Sequence, residues 1–320
     1  MNSGWKTKTK IKNIDKKTQK ELKEIFKTEE LKQYHYGILS DKNPNKKVNN
    51  YLKNKEQIVD ICKKTYKKMG YNIEKLEKNK NLTLDLFPRK GKNTHGFCFE
   101  IEPGKDSRIL ANLTNNINSI DTLCHELGHC IYNLGISEKL QYLDKGTYPA
   151  MTEAIAMMMG DLQKRENILS DIVPEKILTN FIKTFKKDEA KFVSWSLVII
   201  NFEKEMYNNP NQNLKKLWHN LNIKYRNRSE NEVLNNEWAT IPHYLSHPAY
   251  YQNYFRATLI KAQIYNYLKE NFGNITENTK TSKILNDKLF RYGISFEENE
   301  LIEKLTGKKL SSEDFLSNLK

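Results

Sequence analysis

The chain has 320 residues, of which 38% are hydrophobic, and it carries a formal net charge of +14. This length is enough for one large or two modest domains with a buried core. Seven of the 53 basic residues are arginine and the lysines are scattered among asparagines, so the charge indicates a solvated surface rather than a nucleic-acid partner.

Hydropathy and cysteine spacing indicate the cellular compartment of the protein. No run approaches the roughly 18 apolar residues of a membrane span, and residues 1–17 lack the apolar core of a secretory signal, so we expect a cytoplasmic protein without a membrane partner. The four cysteines, Cys62, Cys98, Cys124 and Cys130, form no C-x-x-C pair, and we expect them to remain thiols.

The predicted elements in the first third of the chain are helices followed by strands. Apolar periodicity predicts helices over 15–33 and 56–69, and Gly70 ends the second. Alternating or continuous apolar runs predict strands over 82–87, 95–101 and 108–113, because turn residues separate them. These strands predict a small antiparallel sheet immediately before the next helix.

From Asp121 onward the pattern is helical, and the fold class is therefore mainly α with one small sheet. Helices are predicted over 121–134, 149–165, 212–226 and 249–272, with a pair inside 175–207 and short helices to the C-terminus. Residues 1–33 are predicted to be a basic, partly helical segment. Residues 34–320 are predicted to form one domain, since we find no internal repeat and no clear linker after about residue 55.

The segment "CHELGHC" contains a metal-binding pattern. On a helix, His125 and His129 lie about 40° apart and Glu126 about 100° from His125. In this H-E-x-x-H arrangement two imidazoles bind zinc and the glutamate is the general base. An ordinary amphipathic helix remains the alternative. Cys124 and Cys130 lie on other faces of the helix, which favours a packing role and is unsuitable for a disulfide between them.

Glu153 is the candidate third ligand. It is the one charged residue in "PAMTEAIAMMMG" (149–160), a helix that is apolar on every side and therefore predicted to be buried. A buried carboxylate is costly unless it meets a cation. Zinc held by the two histidines would supply that cation, and a buried lysine or arginine is the alternative.

A second cluster lies in "IPHYLSHPAYYQNYF" (241–255), which contains His243, His247, Tyr250, Tyr251 and Tyr254. Aromatic packing at a helix start explains such a cluster. Neutral donors for the oxyanion of a peptidase reaction explain it equally well. His95, which opens a predicted strand, could reach the same cleft.

Several stretches in order resemble the zinc dipeptidyl carboxypeptidases of the angiotensin-converting-enzyme type, and in particular their bacterial relatives. They include "FPRKGKNTHGFCFEI", "DTLCHELGHCIY", "TEAIAMMMG" and "WATIPHYLSHPAYYQNY", and the resemblance extends from about Tyr34 to the end. It implies a multi-helix zincin (gluzincin) fold. Oligoendopeptidases of the thimet and oligoendopeptidase F type have the same two-histidine, one-glutamate site and are the nearest competing assignment.

The resemblance also implies a role for each site residue. His125, His129 and Glu153 resemble the ligands of one zinc ion per chain, and Glu126 resembles the base. Four further positions are similar to residues that hold the substrate: His95 to a substrate-binding histidine, Gly96 to an edge-strand residue that hydrogen-bonds the peptide backbone, His243 to the histidine at the scissile carbonyl, and Tyr254 to the oxyanion tyrosine. Tyr251, with Tyr250 as its substitute, resembles a tyrosine that binds the C-terminal carboxylate.

The chain departs from the family pattern at three positions. Ile241 replaces a lysine of the animal members, which bears on recognition of the C-terminal carboxylate. Asn253 aligns with the arginine of the chloride-dependent members, so we expect no chloride activation. Met157 replaces an acidic residue, which leaves the orientation of Glu153 to other groups.

The sequence therefore predicts a zinc metallopeptidase that hydrolyses oligopeptides, with release of C-terminal dipeptides as the narrower hypothesis. Family members have many more residues before the matching region. The alternative is consequently an inactive or incomplete zinc-binding member, which acts as a peptide-binding module or needs a partner chain or a dimer to complete the cleft.

Overall fold

The structure, a computed structural model, describes residues 44–231 and 233–319 together with five positions between 16 and 27. Apart from those positions, the predicted 15–33 helix and the 1–33 segment lie outside the described residues. The described chain divides into a larger unit, Pro44–Ile182 with Ala257–Asp314, and a smaller unit, Lys183–Arg256 with 315–319. The single domain predicted over 34–320 stays a prediction.

The fold is mainly helical with one three-stranded sheet, as predicted. Before the sheet lie α1 (Pro44–Asn49), α2 (Lys55–Lys68) and α3 (Ile73–Lys78), and the strands are β1 (Leu82–Asp85), β2 (Phe97–Glu102) and β3 (Asp106–Leu110). The later helices are α4 (Ile117–Gly135), α5 (Pro149–Gly160), α6 (Leu162–Arg165), α7 (Glu175–Ile182), α8 (Phe185–Asn208), α9 (Leu214–Arg226), α10 (His243–Ser246), α11 (Tyr251–Phe272), α12 (Lys280–Lys288), α13 (Glu298–Thr306) and α14 (Glu313–Asn318). Among these described helices, none is both long and apolar enough to cross a membrane.

Helix α4, which carries the histidines, begins four residues before the predicted start. The Asn116 side chain accepts a hydrogen bond from the backbone N–H of Ser119 (3.1 Å) and caps the helix at that point. The helix ends at Gly135, where a Cβ atom would lie 2.7 Å from Cβ of Phe290. A glycine at the end of α4 therefore allows this close approach.

The sheet is mixed, so the prediction of a wholly antiparallel sheet was wrong. Strands β2 and β3 are antiparallel because a short turn joins them, but β1 pairs with β3 in parallel, and the strand order is β1-β3-β2. The longer connection over 86–96 carries the chain past the position of β3 before β2 begins. The parallel strands β1 and β3 are joined by the whole stretch 86–105, which includes β2 and is long enough for a parallel pair, whereas a tight hairpin is not.

The β2–β3 hairpin is fastened to the end of α4. The N–H of Gly104 donates to the carbonyl oxygen of Asn133 (2.9 Å), and the Asn133 side chain donates to the hydroxyl of Ser107. Asn133 and Ser107 are both buried. Strand β2, an edge strand among those described, is consequently held beside the metal-binding helix.

Helices α4 and α5 approach closely at Gly128. A Cβ atom at Gly128 would lie 2.7 Å from Cα of Ala156 and 3.2 Å from Cγ of Met159. Helix α5 is buried almost throughout, as its apolar sequence predicts, and Glu153 is 6% exposed. The absence of a side chain at residue 128 thus brings Glu153 close to the histidines of α4.

The smaller unit has a separate aromatic core. Phe202 of α8 packs edge-on against Trp218 of α9, with ring centroids 5.1 Å apart. Trp195 packs on the same indole at 5.5 Å, and Ile241 is buried in this cluster. These contacts hold α8 and α9 beside the segment that contains His243.

We predict that Gly128→Ala destabilises the protein. The substitution improves helix propensity by about 1 kcal/mol, but the methyl group meets the backbone of α5 rather than a flexible side chain. Overpacking of this kind costs about 1 to 3 kcal/mol, so we expect a net loss measurable by urea unfolding.

Gly146→Ala is the matched control, because a Cβ atom there would meet only Cδ1 of Ile294, at 3.9 Å. We expect its unfolding free energy to stay within about 0.5 kcal/mol of the wild-type value. Equal stability of the two variants would contradict the inferred close contact.

Candidate metal centre and active site

Three side chains of the larger unit form a group that could hold a metal ion. His125 and His129 project from α4, Glu153 projects from α5, and one donor atom of each lies within 4.8 Å of the others. The two Nε2 atoms are 3.2 Å apart, and Oε2 of Glu153 lies 3.7 Å from that of His125 and 3.9 Å from that of His129. The structure therefore brings together the three residues predicted as ligands, while their role stays a prediction.

The surroundings of this group favour neutral imidazoles. Desolvation lowers the pKa of His125 to about 4, and desolvation together with the neighbouring His125 lowers the pKa of His129 well below its usual value. At neutral pH both rings consequently keep a lone pair available. A carboxylate and two neutral imidazoles are a suitable donor set for a divalent cation such as zinc.

Glu126 lies beside the same group, close to the start of β2. It is 7% exposed, and burial, with a smaller contribution from the Glu153 carboxylate, raises its pKa to about 8. A Cβ atom at Gly96 would lie 2.9 Å from Oε1 of Glu126 and 3.0 Å from Cγ2 of Thr122. Gly96 therefore leaves room for the carboxylate, a reason for this glycine that the sequence did not reveal.

The connection before β2 is fixed by a lysine that we read from the sequence only as part of a turn. The side chain of Lys92 is 1% exposed and donates to both the carboxylate and the carbonyl of Asp85 (2.9 Å each) and to the carbonyl of Phe87 (3.0 Å). The backbone N–H of His95 donates to Oδ1 of Asn93 (3.0 Å). These bonds position His95, which is exposed, at the edge of the sheet.

Thr152 is a further site residue that the sequence analysis did not identify. Its hydroxyl lies 2.7 Å from Nδ1 of His129, the ring nitrogen opposite the one that faces Glu153. A hydroxyl at Nδ1 fixes the ring orientation and, when Nε2 binds a cation, accepts a hydrogen bond from Nδ1–H. Its position directly before Glu153 was the available signal, since a helix that supplies a ligand is well placed to support a neighbouring ligand.

The cysteines that flank the motif do not join the metal group. Cys124 and Cys130 are each 1% exposed, which agrees with the predicted packing role. Each meets a thiol from another element: Cys124 lies 3.4 Å from Cys62 of α2, and Cys130 lies 2.7 Å from Cys98 of β2.

The second predicted cluster is assembled within the smaller unit. The His243 ring lies 5.0 Å from the ring of Tyr251, 5.9 Å from that of Tyr254 and 6.3 Å from that of Tyr250. The rings of Tyr250 and Tyr251 both lie within 5.3 Å of the Tyr254 ring. Tyr251 is thus the nearer of the two candidate carboxylate-binding tyrosines to His243.

A buried glutamate holds the turn that leads into this cluster. Ala249 has a φ of +58°, which a residue with a side chain seldom adopts. Its N–H donates to Oε1 of Glu203 (2.7 Å), which also accepts from the hydroxyl of Tyr207 (2.9 Å). Glu203, 5% exposed, therefore stabilises an unfavourable turn immediately before Tyr250 and Tyr251.

Two of the departures from the family pattern have a structural explanation. Ile241 is 8% exposed and belongs to the apolar core of the smaller unit, so the side chain at this position packs instead of carrying charge. Met157 packs against the core of the larger unit. The Thr152 hydroxyl hydrogen-bonds His129 and not Glu153, so it orients a different ligand.

Comparison with known proteins places this geometry in a family. Residues 5–320 match peptidase family M3. The chain is 25% identical to oligopeptidase PepF of Bacillus subtilis (strain 168) over 196 residues, which cover 58% of this chain and 29% of that protein. It is 28% identical to the chromosomal oligoendopeptidase F of Lactococcus lactis subsp. cremoris over 145 residues, which cover 42% of this chain and 24% of that protein.

The fold also resembles that of solved peptidase structures. The structure of PZ peptidase A with an inhibitor superposes with a TM-score of 0.74 at 20% identity, covering 98% of this chain and 56% of that chain. The predicted zincin-type fold is thereby confirmed. The chain spans less than a third of the length of the two curated relatives described above.

These comparisons decide between the assignments that the sequence left open. The specific angiotensin-converting-enzyme type is not confirmed, and the oligoendopeptidase type, named above as the competing assignment, is the one the relatives support. Both resemblances rest on the same three residues of this chain, His125, His129 and Glu153. Since the match covers nearly every residue, the chain belongs to peptidase family M3.

Proposed function

We propose that this protein is a zinc-dependent peptidase that hydrolyses peptide bonds of oligopeptides. The observation that carries the proposal is the convergence of His125, His129 and Glu153 within 4.8 Å, with the buried carboxylate of Glu126 beside them. The named activities of PepF and oligoendopeptidase F support the substrate class. Because the chain spans only part of those relatives, the activity of the whole protein is itself part of the proposal.

Zinc suits the separations between the donor atoms. Two ligands about 2.0 to 2.1 Å from a tetrahedral zinc ion lie about 3.4 Å apart. The separations of the three donor atoms are 3.2, 3.7 and 3.9 Å. Small changes in side-chain torsions, which move the donor atoms by a few tenths of an ångström, would bring all three to bonding distance of one zinc ion per chain.

The division of labour follows from the chemistry of each group. A bound zinc ion would supply a Lewis acid that polarises the peptide carbonyl and lowers the pKa of a water molecule. Glu126, whose pKa of about 8 a bound cation would lower, accepts a proton from the attacking water and returns it to the leaving amine. Its carboxylate is buried, and Gly96, which has no side chain, leaves room for it.

The groups that bind substrate and stabilise charge are assigned by resemblance. His243 and Tyr254 donate hydrogen bonds to the developing oxyanion. Tyr251, or Tyr250 in its place, binds the C-terminal end of the peptide, while His95 and Gly96 bind its backbone. The assembly of the histidine and the three tyrosines around one centre within the smaller unit supports a shared role.

Several finer points stay predictions. Internal cleavage agrees with the oligopeptidase names of the relatives, and release of C-terminal dipeptides is the narrower alternative. A cytoplasmic location, and a partner chain or dimer that completes the cleft, are further hypotheses. The masses of the cleavage products from a mixed oligopeptide library distinguish internal cleavage from dipeptide release.

We predict that Glu126→Gln lowers peptide hydrolysis by a factor on the order of 10² to 10⁴, because the amide cannot accept the proton of water. The variant should still bind one zinc ion, since the three ligands are unchanged. The measurements are cleavage of the library by mass spectrometry and metal content by elemental analysis, before and after treatment with a chelator.

Glu270→Gln is the control, because Glu270 is an exposed glutamate on α11. It should cleave like the wild type, and removal of zinc should inactivate both proteins. A wild type that holds one zinc ion and cleaves nothing would overturn the peptidase proposal and favour a peptide-binding module.

We predict that Thr152→Val weakens zinc binding about 10-fold to 100-fold, because loss of the partner of Nδ1 leaves the His129 ring free to rotate and less basic. Thr152→Ser, which keeps the hydroxyl, should stay within about threefold of the wild type. Competition with a chromophoric chelator measures these affinities without any assay of hydrolysis.

Thr65→Val is the matched control. Thr65 is a buried threonine of α2, a helix that carries none of the candidate ligands, and its hydroxyl donates to the carbonyl of Ile61 (2.8 Å) on the same helix. This variant should lose some stability but bind zinc as the wild type does. If Thr152→Val and Thr65→Val bind zinc equally well, Thr152 does not position the ligand.

A further inference from the structure

Two thiol pairs flank the metal-binding helix, one on each side of the histidine motif. Cys124, just before His125, lies 3.4 Å from Cys62 of α2. Cys130, just after His129, lies 2.7 Å from Cys98 of β2. The two pairs are therefore alike in residue type and position but differ in sulfur separation.

The distance between the sulfur atoms of Cys98 and Cys130 is close to the length of a disulfide bond. A disulfide bond is about 2.05 Å long, so the two sulfurs need to approach by roughly 0.65 Å. The backbone on both sides is fixed, because Cys98 pairs in register with Ile109 of β3 and the hairpin is bonded to Asn133 of α4. The proximity thus results from strand pairing and helix anchoring, not from a mobile side chain.

Solvent access also distinguishes the pairs. Cys98 is partly exposed on an edge strand, whereas Cys62 and Cys124 are no more than 1% exposed. A small oxidant can therefore reach Cys98 in the folded protein. Cys130 is buried directly behind it, where it can act as the second thiol.

We propose that Cys98 and Cys130 are a dithiol site that hydrogen peroxide oxidises reversibly to a disulfide, joining strand β2 to helix α4. The Cys98 thiol loses its proton, and the thiolate attacks one oxygen of hydrogen peroxide. The O–O bond breaks, a sulfenic acid forms, and the departing hydroxide takes up the released proton to give one water. Cys130 sulfur then attacks the Cys98 sulfur, the S–O bond breaks, and a second water leaves as the disulfide forms. In sum, two thiols lose two electrons and two protons, and the peroxide is reduced to two water molecules.

The cross-link would connect two parts of the candidate active site. Cys98 is two residues after Gly96, which leaves room for the Glu126 carboxylate, and Cys130 follows His129. A disulfide that closes a loop of about 30 residues restricts the unfolded chain and raises stability. Oxidation would consequently hold the edge strand and the metal-binding helix together more firmly.

The test is oxidation of the folded full-length chain with hydrogen peroxide, followed by alkylation of free thiols and peptide mapping. Cleavage after lysine and after glutamate is needed, because only cleavage at Glu126 separates Cys124 from Cys130. We expect a cross-linked peptide containing Cys98 and Cys130, about 2 Da lighter than its parts, while Cys62 and Cys124 remain available for alkylation after denaturation. Dithiothreitol should reverse the cross-link.

Matched serine variants separate this site from general oxidation. In the wild type and in Cys62→Ser, oxidation should raise the thermal midpoint by about 5 °C or more, and in Cys98→Ser it should leave the midpoint unchanged. Over-oxidation of Cys98 to a sulfinic acid with Cys130 still free would overturn the proposal. So would equally rapid cross-linking of Cys62 to Cys124. Both readouts are independent of hydrolysis, and the mapping of the wild type stands even if a variant folds poorly.

Discussion

The close contact between Gly128 of α4 and Ala156 of α5 is the constraint on which the candidate site depends. With no Cβ at residue 128, the backbones of the two helices approach within the reach of their side chains. Oε2 of Glu153 then comes within 4 Å of both imidazoles. A carboxylate on an otherwise apolar, buried helix would be costly without cations or donors nearby, so the contact that brings the helices together also brings Glu153 to the two imidazoles that would hold a cation with it.

Other residues around the site also leave room for a neighbouring group or fix its position. Gly96 makes space for the Glu126 carboxylate, and a side chain there would displace the proposed base. The Lys92 side chain donates hydrogen bonds to carbonyl groups and a carboxylate at the end of β1 and in the connection that follows, and so fixes the segment that leads into β2. Thr152 supports His129 from the helix that supplies the third ligand. These are common residue types. Each one either leaves room for a close approach of another group or holds a backbone segment or a ring in one orientation.

Sequence reasoning was most effective where a chemical pattern is local. The H-E-x-x-H spacing is a property of one helix, and a solitary glutamate in an apolar helix is visible without any fold. The mainly helical class and the order of the elements follow from periodicity, although the start of α4 at Ile117 depended on capping by Asn116. The sheet was partly mispredicted, since strand patterns give the existence of β1 and β3 but not the side on which they pair.

By itself, the sequence determined which residue types are available for chemistry and that two histidines share a helical face, because a helix repeats every 3.6 residues whatever surrounds it. Only the tertiary structure decided that Glu153 reaches those histidines, that Thr152 meets His129, and that Cys98 meets Cys130. These pairs join residues 23 to 32 positions apart in the chain. Their distances depend on how closely helices and strands pack. Gly96 and Gly128 permit that close packing because they have no side chain, and a local sequence pattern does not indicate it.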